Sequence, residues 1–115
     1  MLVGLYAAAE AAALISRLGL PPRESKRVLM SAPGASSMLD HCLPAALTGG
    51  EAASIATIGG LAQAQALIAD LATRLDVPLR PLPAARGHTA ALIRRGNAGH
   101  DVSRPARTYD HEAAA

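Results

Sequence analysis

The amino-acid sequence predicts an all-α domain of five to six helices. Of its 115 residues, 27 are alanine and 16 are leucine, which rank highest in helix propensity. Phe and Trp are absent and β-branched residues are scarce, so the residue types that suit strands are poorly represented. The apolar residues recur at helical spacing between glycine and proline breaks. We therefore expect a single helical domain over residues 1–110, followed by a frayed tail at 111–115.

The first helix is predicted over residues 2–18. Gly19 follows it at the place where a left-handed C-cap is expected. Pro21 and Pro22 then open a second helix, because proline suits a first helical turn, and this helix runs to about Ser31. The apolar face of the first helix has members three or four positions apart, namely Leu2, Leu5, Ala9, Ala12, Ile15 and Leu18.

A third helix is predicted over residues 36–47, where Pro44 either kinks it or starts a new helix. A long fourth helix follows over residues 54–75. Gly59 and Gly60 lie within it and each costs about 1 kcal/mol relative to alanine. This pair indicates either the close approach of a backbone or ligand, or simple tolerance. The fourth helix has an almost heptad-like apolar seam of Ile58, Leu61, Gln65, Ile68, Ala72 and Leu75.

The remaining elements are shorter. Residues 77–83 are proline-rich and are predicted to form an extended connector. A fifth helix over residues 84–95 ends at the glycine that follows. Asp101 or Ser103 is then expected to cap a last helical turn at residues 105–110, since both side chains can accept from free amides.

Charge and composition disfavour a nucleic-acid partner. The net charge is only +2, although residues 80–107 contain six arginines against one acid. A solvated basic face accounts for this run better than a phosphate-binding surface, and no aromatic residues are interleaved to stack on bases.

The single cysteine and the apolar segments indicate a cytoplasmic location. Cys42 cannot form an internal disulfide and is expected to be a buried thiol in a reducing compartment. The apolar stretch over residues 2–15 is interrupted by Glu10 and is too short to span a membrane.

Motifs that would place a cofactor or a metal in this chain are missing. The sequence contains neither G-x-G-x-x-G nor the P-loop pattern, so we expect no cofactor bound by this chain alone. No residue is marked as a nucleophile or an acid–base catalyst, and no catalytic residue is predicted. The histidines lack the spacing of metal ligands, so no metal site is predicted at His41, His88, His100 or His111.

Four short motifs occur in a distinctive order. An Ala-rich helix ends in Gly-Leu-Pro at 19–21, and Gly-Ala-Ser-Ser-Met-Leu follows at 34–39. After the long helix come Leu-Asp-Val-Pro-Leu-Arg-Pro-Leu at 75–82 and Gly-His-Asp-Val-Ser at 99–103. Over residues 1–110 this order resembles the helical C-terminal domain of the β-hydroxyacid dehydrogenases, the group that includes 3-hydroxyisobutyrate and 6-phosphogluconate dehydrogenases.

The resemblance implies one part of a two-part NAD(P)-dependent oxidoreductase. In that family a Rossmann domain holds the dinucleotide, while the helical domain closes the substrate cleft and forms a dimer. No Rossmann domain is present in these 115 residues, so the chain is expected to be a stand-alone or truncated helical part. Its expected partner is a second copy, as a homodimer, or a separate nucleotide-binding domain.

The resemblance also implies that catalytic groups have been lost. The family's linking helix carries a lysine and, one turn later, an asparagine for hydride transfer, and these positions correspond to Met1 and Leu5. A lysine–aspartate pair that meets the cofactor corresponds to Gly59 and Gly60. We therefore expect the chain alone to be inactive.

Four polar residues within the matching motifs are the candidates for facing a substrate. These are Ser36, Ser37, Asp101 and Ser103. For Asp101 and Ser103, capping of the last helix is the simpler role, because a cap requires only these residue types at this spacing.

Two alternatives remain open. The chain could be a helical dimerisation or adaptor module, which differs from the first interpretation only in lacking a nucleotide-binding partner. Alternatively, residues 9–31 could form a helix-turn-helix that reaches DNA through Arg23, Lys26 and Arg27. The short second helix has no base-reading pattern, which disfavours this reading.

Overall fold

The computed structural model describes residues 2–48 and 54–105, and these contain five helices and no strand. The predicted all-α class is therefore confirmed. The helices are α1 Gly4–Arg17, α2 Pro22–Ser31, α3 Ser37–Thr48, α4 Ile58–Arg74 and α5 Pro81–Arg94. They fall into two compact units, the first with α1, α2 and α3 and the second with α4 and α5. The single domain over 1–110 stays a prediction. The last predicted turn and the tail lie almost wholly outside the described residues.

In the first unit, α1 and α2 both pack on α3. The predicted inner face of α1 is confirmed at four positions, since Leu5, Ala9, Ala12 and Ile15 are all buried. Leu18 is instead 70% exposed. It is the C-cap residue of α1, so it follows the turn away from the packed face.

The second helix contributes mainly through its contact with α3. None of its residues is buried. The Lys26 ammonium lies 2.9 Å from the Asp40 carboxylate on α3, a half-exposed ion pair of the kind that contributes about 0–1 kcal/mol. Within α3, Cys42 is 1% exposed and its Sγ lies 3.5 Å from Met38 Sδ. The predicted buried thiol is confirmed.

Three helices end in the same way, with a residue of positive φ and a backbone bond that closes the last turn. Gly19 (φ 66°) and Gly96 (φ 83°) end α1 and α5, as their positions in the sequence predict. After α4 this position is occupied by Asp76 (φ 53°). In each case the next amide donates to a carbonyl five residues earlier, the pattern of a Schellman motif. The donor–acceptor pairs are Leu20–Ile15 (3.2 Å), Val77–Ala72 (2.9 Å) and Asn97–Leu92 (3.0 Å).

Three helices begin two or more residues away from their predicted starts, and the other boundaries agree to within one residue. The first helix begins at Gly4, the fourth at Ile58 and the fifth at Pro81. The fourth starts late because residues 54–57 pair with residues 100–102, as described below. The fifth starts early because a first turn needs no amide donor, so its prolines are compatible with helix. In α3, Pro44 lies within one continuous helix and starts no new one.

The second unit is formed by α4 packing on α5. The predicted seam of α4 is only partly internal. Ile58, Leu61, Gln65 and Ala72 are buried, whereas Ile68 is 39% and Leu75 63% exposed. The buried amide of Gln65 donates from Nε2 to the Leu2 carbonyl at 2.9 Å, which compensates for burying a polar group on this face.

The left-handed positions generate a stability prediction. Gly19→Ala and Gly96→Ala place a Cβ at positive φ and should each lower the free energy of unfolding by about 1–2 kcal/mol. Asp76→Gly relieves the same strain and should raise it by about 0.5–1 kcal/mol. Chemical denaturation of the three variants measures both signs. If Gly19→Ala and Asp76→Gly changed the free energy of unfolding equally, the shared cap geometry would be contradicted.

Candidate functional site

The Asp101 carboxylate joins two segments that are far apart in the chain. Its Oδ2 accepts from the Ile55 amide at 3.0 Å and from the Ala56 amide at 3.5 Å, across 45–46 residues. An isolated antiparallel bridge pairs Asp101 with Thr57, and the Val102 amide donates to the Ala56 carbonyl at 3.0 Å. Asp101 therefore fixes the extended approach to α4. Its predicted capping of residues 105–110 concerns a segment outside the described range and stays a prediction.

Gly59 and Gly60 lie in the first turn of α4 against the loop that precedes Asp101. The Gly59 amide donates to the Ala98 carbonyl at 2.8 Å, and a Cβ at Gly59 would lie 3.2 Å from that oxygen. A Cβ at Gly60 would lie 3.3 Å from Oγ1 of Thr57. Of the two alternatives given for this pair, the close approach of another backbone is therefore confirmed at Gly59, whereas the atom nearest to a Cβ at Gly60 belongs to a side chain.

All four amides at the start of α4 are used within the protein. The Ile58 and Gly59 amides donate to the carbonyls of the 98–100 loop. Thr57 caps the helix, accepting from the Gly60 amide at Oγ1 (3.1 Å) and from the Leu61 amide at its carbonyl (2.9 Å). A helix N-terminus binds phosphate through amides that have no partner in the helix. The start of α4 has none left for a dinucleotide and bears no charged side chain.

The beginning of α1 provides no charged side chain either. Leu5, which the sequence resemblance aligns with the family's asparagine, is 1% exposed and packs in the core of the first unit. Met1, which the resemblance aligns with the linking-helix lysine, lies outside the described residues. The residues present do not fit the charge requirements of a nicotinamide cofactor, so no hydride-transfer step is derived for this chain.

The candidate serines lie in the first unit. Ser36 is exposed and its Oγ accepts from the Leu39 amide at 3.1 Å, which makes it the cap of α3. Ser37 is exposed and is the first residue of that helix. Ser103 is 6% exposed and also belongs to this unit, whereas Asp101 belongs to the second. The structure places Ser36 and Ser37 together and joins Asp101 instead to the start of α4.

Sequence reasoning missed a cavity of about 740 Å³ in the second unit, between the end of α4 and the start of α5. Asp76 and Arg86 provide its charged groups and Leu82 part of its apolar wall. The sequence signal was the Pro-rich connector, which keeps the two helix ends apart.

Two other kinds of site were searched for along the described chain. Among residues 2–48 and 54–105, no group of three or more His, Cys, Asp or Glu could hold a metal ion. The helices described are also too short or too polar to cross a membrane.

The Asp101 contacts generate a prediction about the second unit. Asp101→Ala removes a charged acceptor from two amides and should lower the free energy of unfolding by about 1–3 kcal/mol. Asp101→Asn keeps an acceptor oxygen and should lower this free energy by less. Denaturation curves measure the loss. The matched control is Glu10→Gln, an exposed acid on α1, which should change stability by less than about 0.5 kcal/mol. Equal stability of Asp101→Ala and wild type would contradict the role of this carboxylate.

Gly59 can be compared directly with Gly87, which lies inside α5, where an added Cβ would meet no atom within 4 Å. Gly87→Ala should raise the free energy of unfolding by about 0.5–1 kcal/mol through helix propensity alone. At Gly59 the same gain is opposed by the Ala98 carbonyl. The free energy of unfolding of Gly59→Ala should therefore be at least about 1 kcal/mol lower than that of Gly87→Ala. Thermal and chemical denaturation test this difference. If Gly59→Ala and Gly87→Ala raised the free energy of unfolding equally, the loop at Ala98 would move aside without a measurable cost.

Comparison with known proteins gives two matches that agree with this geometry. A family model described as NAD-binding of NADP-dependent 3-hydroxyisobutyrate dehydrogenase matches residues 1–109. The crystal structure of 3-hydroxyisobutyrate dehydrogenase from Salmonella typhimurium superimposes with a TM-score of 0.81 and 26% sequence identity. The match covers 92% of this chain and 37% of the Salmonella chain. Comparison with curated protein sequences gives no match.

The matched region extends from α1 to the residues after Asp101, the same elements on which the sequence resemblance rests. Five helices that superimpose with a TM-score of 0.81 at 26% identity show that the fold has been kept. The chain therefore belongs to the NAD-binding family of NADP-dependent 3-hydroxyisobutyrate dehydrogenases.

Proposed function

We propose that this chain is the substrate-closing helical part of a 3-hydroxyisobutyrate dehydrogenase-like oxidoreductase and that it binds no dinucleotide by itself. In this proposal a nucleotide-binding part outside residues 1–109 holds the NADP. The observation that supports it most strongly is the first turn of α4, where every amide is already bonded and position 59 faces a carbonyl.

The share of the solved relative that this chain covers supports a division into a helical part and a nucleotide-binding part. The chain spans 37% of the length of the Salmonella enzyme, so most of that protein has no counterpart here. A helical part without its own cofactor groups can still act by covering a bound substrate, since closure excludes water and fixes the reactants. The substrate class proposed, a small hydroxy acid, follows from the family alone.

A second candidate function is that of a helical dimerisation module. It is favoured by the large apolar side chains that α4 leaves exposed, which cleft closure does not explain. The DNA-binding alternative has less support, because the Lys26 ammonium on α2 is engaged with Asp40.

The proposal can be tested by titrating NADPH into the purified chain and into a fusion of the Salmonella nucleotide-binding part with residues 2–109. Calorimetry of the chain alone should show no saturable heat, whereas the fusion should bind NADPH. With NADP⁺ in place of NADPH, the fusion should not oxidise 3-hydroxyisobutyrate. Iodide should quench the fluorescence of bound NADPH less in the fusion than in the isolated nucleotide-binding part, because the helical part shields the nicotinamide.

Two outcomes would contradict this. Low-micromolar binding of NADPH to the chain alone would show that it holds a dinucleotide after all. Equal quenching in the fusion and in the isolated nucleotide-binding part would show that the helices do not close the cleft.

A further inference from the structure

The cavity of about 740 Å³ between the end of α4 and the start of α5 has the size of a small-molecule site. All of its lining residues belong to one stretch of chain, residues 69–86, so the second unit forms it by itself. It lies at the opposite end of α4 from Gly59, about 25 Å away along the helix axis at 1.5 Å per residue. The chemistry of a ligand at this place therefore follows from the side chains that line the cavity.

Asp76, which lines this cavity, costs the fold stability in two ways. Its φ of 53° is the left-handed conformation that glycine adopts at the equivalent positions after α1 and α5. It also places a carboxylate at the carboxyl end of α4, where the helix dipole disfavours negative charge. A glycine would avoid both costs. Residues that lower stability in this way are concentrated at functional sites, so Asp76 points to a role in binding.

The carboxylate of Asp76 has no ion-pair partner within the described part of the chain. Arg74, Arg80 and Arg86 all lie within ten positions of it. The ion pairs of residues 2–48 and 54–105 nevertheless include none with Asp76 and none with Arg86, although both residues line the same cavity. An acid and a base that line one space without bonding each other leave both charges available to a ligand.

The two walls of the cavity differ in hydrogen-bonding character. On the α4 side, the Thr73 hydroxyl already donates to the Ala69 carbonyl at 3.0 Å, so its oxygen can only accept, like the Asp76 carboxylate. On the α5 side, the Arg86 guanidinium can only donate, and its planar fork matches a carboxylate. The other lining residues are all alanine, valine, leucine or proline. A ligand that satisfies these walls carries a cation at one end, a carboxylate at the other and an aliphatic chain between them.

We propose that this cavity binds an aliphatic ω-amino carboxylate, with the ligand's ammonium at Asp76 and Thr73 and its carboxylate at Arg86. Because Asp76 and Arg86 form no ion pair, the ligand bridges them and places its hydrocarbon chain against the apolar lining. A simple anion or a simple cation would pair only one of the two charges, so the zwitterion is favoured over both. The inference is separate from the proposed function, since it requires neither a dinucleotide nor a nucleotide-binding part.

Titration of the full chain with 6-aminohexanoate, followed by nuclear magnetic resonance, tests the proposal. Amide resonances within residues 69–86 should shift and saturate with a dissociation constant of about 0.1–1 mM, since the cavity is open and the ligand is small. Hexanoate and hexylamine have the same chain length but each lacks one charge. Both should bind at least about fivefold more weakly than 6-aminohexanoate, because each loses one charge-assisted contact.

Substitution of each charge should abolish a different preference. In Asp76→Asn, 6-aminohexanoate should no longer bind more tightly than hexanoate, and in Arg86→Gln it should no longer bind more tightly than hexylamine. The matched controls are Asp70→Asn on α4 and Arg94→Gln on α5, two exposed charges outside the cavity, which should keep the wild-type affinity.

Asp76→Gly separates binding from folding. This variant should lose the preference over hexanoate while its free energy of unfolding rises, so the loss of binding cannot be attributed to a damaged fold.

Three results would overturn the inference. The first is the absence of any saturable shift with 6-aminohexanoate up to about 20 mM, which is too weak for a ligand that makes two charged contacts. The second is equal affinity of the wild-type chain for 6-aminohexanoate and hexanoate, which would make this a site for anions only. The third is a wild-type affinity that survives both Asp76→Asn and Arg86→Gln, which would place the ligand elsewhere on the chain.

Discussion

Residues 97–102 lie against the first turn of α4, and the second unit depends on the hydrogen bonds between them. The Ile58 and Gly59 amides donate to this loop, and the Asp101 carboxylate accepts from the two amides two and three residues before Ile58. Ile58 is buried, so without its bond to the loop its amide would be left unsatisfied at a cost of about 1–3 kcal/mol. The close approach that satisfies them would place a Cβ at position 59 only 3.2 Å from the Ala98 carbonyl oxygen, so a side chain there requires the loop to shift.

The elements that the sequence predicts correctly are those with local causes. Gly19 and Gly96 end helices because only a residue that adopts positive φ without strain suits the last turn, and Pro22 begins α2 because a first turn needs no amide. The late start of α4 has no local cause. It depends on Asp101, which is 46 residues from Ile55, and single-sequence patterns contain no information about such pairing.

The buried face of α4 shows a second limit of predicting structure from apolar periodicity. The helix contains two overlapping apolar series, one through Leu61, Gln65 and Ala72 and the other through Leu67, Leu71 and Leu75. The core uses the series that contains a glutamine, and the Gln65 amide is satisfied there by the Leu2 carbonyl. The leucine series stays outside. Periodicity predicts that both faces are apolar, but it does not say which of the two the rest of the chain covers.

In α1 small residues share the core with larger ones, while two leucines remain outside it. The buried positions are Leu5, Tyr6, Ala8, Ala9, Ala12 and Ile15, whereas Leu14 and Leu18 are largely exposed. Each buried methylene contributes about 0.8 kcal/mol, so the two exposed leucines leave part of the available stabilisation unused within one chain. Burial of the exposed leucines against another surface recovers it. Both proposed functions supply such a surface, and alanine in the core permits the close helix packing that presents it rigidly.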